Sequence, residues 1–219
     1  ASLQIMGQAS GPPARIIVGP NQRASANPPT GSRNEGWIVA SPTDSLFLVA
    51  ASHTGLTGGC ATMVSRDGGS QWREVRLPGE ADAGCFDPMT AAGPDGRMYV
   101  LYTGRVNPKY PTGTIRIWST ADRGKTWSGP TDLKTPVVPD HPRLTVDVGS
   151  GPHRGRVYVA WNEVSDGFIR NKYLIFAHYS DDGGKTFSEP SLFNIGEGGK
   201  LVITEPLVLE DGTLVLTYY

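Results

Sequence analysis

The chain has 219 residues, with 20 basic and 21 acidic side chains, 38% hydrophobic and 9% aromatic residues. That content is too apolar for a disordered chain, and the near-zero net charge removes the electrostatic footprint of a nucleic-acid binder. Gly (28) and Pro (18) fill about a fifth of the sequence, against roughly 12% in ordinary usage. Both serve poorly inside helices and well between strands, so the composition predicts an all-β protein with many turns and a sizeable core.

In chain order, residues 1–33 form an N-terminal segment in which Ser2–Met6 and Ala14–Val18 read as strands. The chain starts at Ala1 rather than Met and shows no signal-peptide hydrophobic region, as a processed segment would. From residue 34 the sequence repeats itself, the feature to seek before single motifs. Each unit opens with an acidic residue, then a short apolar strand, a turn and another apolar strand. Glu35-Gly-Trp-Ile-Val-Ala leads to Asp44-Ser-Leu-Phe-Leu-Val. Asp87-Pro-Met-Thr-Ala leads to Asp95-Gly-Arg-Met-Tyr-Val. Asp140-His-Pro-Arg-Leu-Thr-Val leads to Gly155-Arg-Val-Tyr-Val, and Glu205-Pro-Leu-Val-Leu to Asp211-Gly-Thr-Leu-Val-Leu. The starts are separated by 52, 53 and 65 residues.

Between these hairpins lies a second repeat, reading hydroxyl-x-Asp-x-Gly-x-x-aromatic. It occurs as Ser65 to Trp72, Thr120 to Trp127 and Ser180 to Phe187, its aspartates 55 and 60 residues apart. Asp67, Asp122 and Asp182 are placed to accept N–H bonds within their own turns. Gly69, Gly124 and Gly184 take backbone conformations costly for other residues, and Trp72, Trp127 and Phe187 anchor the returning strand. Each unit is therefore four antiparallel strands, A to D, with the Asp motif at the C–D turn, which is the pattern of a β-propeller blade. Blades span about 34–84, 85–138 and 139–203, with a partial fourth at 204–219. The longest apolar stretch, Leu46–Ala51, is far short of the ~20 residues of a spanning helix.

The three boxes resemble the Asp-box, or BNR repeat, of the sialidase superfamily of β-propellers, over residues 34–219. The resemblance implies a six-bladed parent of which this chain is three blades and part of a fourth. The alternative is a closed four-bladed ring completed by residues 1–33. It also implies an exported protein, secreted or periplasmic, that acts on or binds carbohydrate or glycoprotein. In that family the box is structural and lies away from the active face.

Strand reversal places the A–B and C–D turns on one face of the disc and the B–C and D–A loops on the other. Glu35, Asp87, Asp140 and Glu205, each opening an innermost strand, are expected to ring the channel mouth on the face opposite the boxes. Asp140, Glu205 and Asp87 are the candidates for acid–base work. Clustered carboxylates repel, so one has a raised pKa or a cation holds them together, and structural Ca²⁺ is the candidate ion. Solvated strand openings are the alternative. On the same face, Arg105, Arg170 and Lys172 suit an acidic sugar, and Tyr102 and Trp161 either face a sugar ring or pack between blades.

Against the sialidase pattern, the first strand reads Asn34-Glu35-Gly36-Trp37-Ile38 without the substrate-gripping Arg. The loop Thr54–Gly59 lacks the acid–base Asp, and Tyr219 stands where the second Arg belongs. Canonical sialic-acid hydrolysis therefore lacks support, and non-catalytic glycan or protein binding is the competing reading. No cofactor is required. The four His residues lack metal-ligand spacing, and Cys60 and Cys85 form either a disulfide or two buried thiols.

Overall fold

The computed structural model describes residues 18–24, 33–55, 59–80, 84–104, 113–163, 174–194 and 202–219. The described residues form an all-β fold of three four-stranded antiparallel sheets and one two-stranded sheet. The first sheet is β1 (Arg33–Ser41), β2 (Asp44–Thr54), β3 (Gly59–Ser65) and β4 (Arg73–Val75). The second is β5 (Cys85–Ala92), β6 (Met98–Gly104), β7 (Thr114–Thr120) and β8 (Ser128–Lys134). The third is β9 (Pro139–Val146), β10 (Val157–Glu163), β11 (Leu174–Ser180) and β12 (Ser191–Asn194). The fourth pairs β13 (Leu207–Val208) with β14 (Leu214–Val215), and the Ile203–Tyr218 bridge extends that hairpin. In every sheet, sequence neighbours are hydrogen-bonded neighbours. The first strands β1, β5, β9 and β13 pack side by side, as the inner strands of consecutive propeller blades do. The predicted N-terminal strands lie almost wholly outside the described residues, and residues 18–24 form no strand.

Blades adhere through the apolar faces of their sheets. Phe47, Val49 and Val64 of the first meet Met98, Val100 and Trp118 of the second. On the other side of the second blade, Leu101, Ile115 and Ile117 meet Leu144, Val159 and Trp161 of the third. Burying one such aliphatic or aromatic side chain is worth about 1.5–3 kcal/mol. Strands β6 and β10 are buried on both faces over nearly their whole length, so they read as continuous apolar runs rather than alternating ones. Tyr102 and Trp161 belong to these cores. Tyr102 is 2% exposed, its hydroxyl bonds Thr62, and its ring meets Trp118 edge-on. Trp161 is fully buried and stacks on Phe176 at 4.2 Å. Neither ring offers a face to a ligand, which settles their position in favour of packing between blades.

The three Asp turns share one hydrogen-bonding scheme. The hydroxyl of Ser65, Thr120 or Ser180 donates to the aspartate two residues on and accepts the N–H of Gly69, Gly124 or Gly184. The carboxylate then accepts N–H groups from the far side of the turn, Gln71 for Asp67, Lys125 and Thr126 for Asp122, and Lys185 and Thr186 for Asp182. Gly124 needs its left-handed φ of +69°, and a Cβ there would sit 3.3 Å from Val64. On the opposite face, Cys60 of β3 is disulfide-bonded to Cys85 of β5, with Cα atoms 5.7 Å apart, so the first two blades are covalently joined.

Candidate functional site

Each of the three complete inner strands is interrupted near its start. Register breaks between Asn34 and Trp37, between Phe86 and Met89, and opposite Ala160–Asn162 in β9. At each break one non-glycine residue has positive φ: Glu35 at 51°, Asp87 at 47° and His141 at 44°. Such a conformation is uncommon outside glycine, and a bulge of this kind re-aims a side chain next to a functional site. Here it turns successive blades toward one place. Glu35, Gly36, Trp37, Asp87, Pro88, Met89, His141 and Arg143 line a single concavity of about 300 Å³.

The predicted ring is therefore corrected by one residue in the third blade. The position equivalent to Glu35 and Asp87 is His141, because the bulge residue directly precedes Pro142 as Asp87 precedes Pro88. Asp140 stands one place earlier and touches the His141 ring, Oδ2 to Nδ1 at 2.8 Å. The contact becomes an ion pair when the imidazole is protonated. The Asp140 carboxylate raises the His141 pKa, with Asp87 adding to it, while burial and Arg143 oppose the rise.

Asp87 is half-buried, and burial raises its carboxyl pKa first of all. The Glu35 and Asp140 carboxylates push the same way, while His141 lowers it through its charge and through a backbone N–H given to the carboxylate. Glu205, preceding Pro206, is exposed as a residue. Partial desolvation nonetheless raises its carboxyl pKa, and the charge of Arg143 lowers it. Arg143 projects from β9 two residues past the bulge, with its guanidinium carbon 5.7 Å from the centre of the Trp37 ring. Among the described residues it has no carboxylate partner, and its one hydrogen bond goes to the Pro142 carbonyl.

Of the predicted site residues, Glu35 and Asp87 meet in this concavity, Asp140 stands behind it, and Glu205 lies within the field of Arg143. Arg105, Arg170 and Lys172 lie outside the described residues. His53, near the end of β2, is buried and pairs through Nδ1 with Asn34 Oδ1 at 3.1 Å. His141, Arg143 and Trp37 were not singled out from sequence. The signal for the first two was the Pro that follows the bulge residue in the second and third blades, Asp87-Pro88 and His141-Pro142. As for a cation in the acidic ring, no group of three His, Cys, Asp or Glu among the described residues is placed to hold a metal ion. Among them, too, no helix is long and apolar enough to cross a membrane.

No protein-family model matches the chain, and no curated protein matches it. Among solved structures it is similar to a protein of unknown function from Dyadobacter fermentans, at 18% identity and a TM-score of 0.59, over 89% of this chain and 58% of that one. It is similar to the Hadza microbial sialidase at 16% identity and a TM-score of 0.58, over 85% of this chain and 42% of that one. A thermostable family-43 glycoside hydrolase matches at 13% identity and a TM-score of 0.53, over 88% of this chain and 65% of that one. The chain thus spans about half the length of the first two. What is shared at these identities is the fold, a propeller architecture that carbohydrate-active enzymes also use.

Proposed function

We propose that this protein is an exported, carbohydrate-active propeller whose channel mouth hydrolyses a glycosidic bond. The observation that carries the reading is Asp87, a half-buried carboxyl with a raised pKa set beside a second carboxylate, Glu35, in one concavity. Two carboxylates in different environments are the usual equipment for glycoside hydrolysis, one giving a proton to the leaving oxygen and the other assisting on the far side. Asp87 takes the donor role, because burial keeps its proton to higher pH. Glu35, with Glu205 beyond Arg143, supplies the partner carboxylate. Asp140 serves through His141 rather than as an acid or base itself. The Cys60–Cys85 disulfide supports export, since such bonds persist in oxidising compartments.

Sialic-acid hydrolysis is not part of the proposal. The test is turnover of a panel of aryl glycosides, an aryl sialoside among them, by the folded full-length protein and by Asp87→Asn, Glu35→Gln and Glu205→Gln. No turnover of any substrate, or turnover that Asp87→Asn leaves intact, would sink it. The second reading, non-catalytic glycan or protein binding, draws on the Trp37 ring with Arg143 above it, a platform that needs no bond cleavage to be useful. A glycan bound equally by the wild type and Asp87→Asn, without turnover, would select that reading.

A further inference from the structure

On the turn face, the first two blades and the next two are joined in different ways. Between the first pair, Arg66 donates to the carbonyls of Arg123 and Gly124, and Arg123 donates back to the Arg66 carbonyl and pairs with Asp44 at 2.8 Å. The two Asp turns are clasped shut. Between the second and third turns the corresponding positions are Ala121 and Gly183, so the clasp is missing. In its place is a groove of about 630 Å³ between the second and third blades. It falls within the size range of small-molecule sites, though its lining is more polar than most.

An inventory of its hydrogen-bonding groups gives the groove a sign. Each of its carboxylates already has a partner within the protein. Asp181 takes both of its bonds from Arg156, at 2.7 and 2.9 Å, and Arg156 in turn lies over the Tyr179 ring. Asp182 is saturated within its own turn. Asp95 accepts the backbone N–H of Arg97 and stands 3.8 Å from that residue's Nε. The donors are in surplus. Arg97 gives one long bond, 3.4 Å, to Ser119. Arg154 uses only Nη1, on the carbonyls of Val148 and Gly149. The other guanidinium N–H groups of Arg97 and Arg154 have no hydrogen-bond partner among the described residues. These two side chains come from adjacent blades and line the same groove.

We propose that this groove is a second binding site, on the face opposite the channel mouth, for a small ligand carrying a sulfate or phosphate group. Arg97 and Arg154 hold the oxyanion from the two sides with charge-assisted bonds. Arg156, held by Asp181 and Tyr179, forms the wall rather than the grip. The spare guanidinium donors favour an acceptor-rich anion. The proposal stands on the donor and acceptor count alone and is independent of what the mouth does.

The test is calorimetric titration of the full-length protein at low ionic strength with four probes: inorganic sulfate, inorganic phosphate, a sulfated disaccharide and a sugar phosphate. Chloride at matched ionic strength is the control. The wild type is expected to bind at least one probe, and Arg97→Gln/Arg154→Gln to weaken that binding tenfold or more. Arg143→Gln, at the mouth, is expected to bind as the wild type does. Melting curves, with circular dichroism at the working temperature, establish that the variants are folded, and the single variant Arg154→Gln, at an exposed position, serves if the double variant is not. The relative affinities of the sulfate and phosphate arms identify the source of the oxyanion. The proposal is overturned if no probe binds the wild type, if the groove variants bind unchanged, or if Arg143→Gln alone abolishes binding.

Discussion

On the turn face, Asp122 accepts the Thr126 N–H and hydroxyl, the Thr120 hydroxyl and the Lys125 N–H, and its pKa is held down at about 2. Partial desolvation works against Asp182, yet an equivalent set of donors brings it to about 2 as well. On the mouth face, 35 residues earlier in the chain, Asp87 is raised by burial and by Glu35. The residue type is the same and the blade is the same, since both belong to the second sheet. What differs is whether the local backbone offers donors. A seven-residue turn wraps its aspartate in N–H groups, whereas a bulge on an inner strand aims its aspartate at other blades' charges. The two faces are also secured differently, by hydrogen bonds around the turns and by the Cys60–Cys85 bond toward the mouth.

Of the devices that secure the two faces, the disulfide is expected to contribute most to stability. With its cysteines 25 positions apart in sequence, chain-entropy reasoning assigns it about 3 kcal/mol. Cys60→Ala/Cys85→Ala is expected to lose about that much in urea unfolding. If the double variant unfolds at the wild-type midpoint, the mouth is not held by the bond. Next comes Asp87→Asn, which is expected to cut turnover by about 100-fold or more, in line with the loss of a general acid. Its melting temperature should nevertheless equal or exceed that of the wild type at pH 7. The sign follows from linkage. A carboxyl with a raised folded pKa costs stability once pH rises past its unfolded value, so the gain from Asn should vanish below the ordinary carboxylate range. An Asp87→Asn protein clearly less stable at pH 7 would make Asp87 a structural residue like those of the turns.

Asp122→Ala should behave in the opposite way. It is expected to lower the melting temperature at pH 7 by a few degrees while leaving mouth chemistry intact. Because the depressed pKa contributes stability above the unfolded value, the difference from wild type should close as pH falls from about 4 to about 2. A pH-independent deficit would place the effect in packing rather than charge. The smallest change is expected for Asp67→Ala. That turn has Gln71 where the others have Thr126 and Thr186, so the carboxylate receives no second hydroxyl. Differential scanning calorimetry of the pair would order the two turns, and an equal loss in both would remove the hydroxyl from the account.

The repeats made the blades and turns legible, because each turn needs particular residues at particular offsets and the spacing cannot survive by accident of composition. The site was legible as a place more than as a set of atoms. Matching acid to acid put Asp140 in the ring, although the backbone bulge, which is what aims the side chain, is marked in the second and third blades by the following Pro rather than by charge. His141 and Arg143 follow once Pro142 is aligned with Pro88 and Pro206. Tyr102 and Trp161 were ambiguous for a different reason. Each lies opposite a bulge on a strand buried on both faces, where the alternation that would separate a core ring from an exposed one is erased.

That bulge has an implication for how such a mouth changes over time. Glu35, Asp87 and His141 are an acid, a shorter acid and an imidazole, delivered by one backbone device on three successive strands. The hydrogen-bonded ladder resumes beyond the bulge whatever side chain the device carries, so an exchange at that position edits the chemistry without rewriting the sheet. A propeller mouth built this way is a row of sockets, one per blade. Its repertoire grows by substitutions at single positions that the fold scarcely registers.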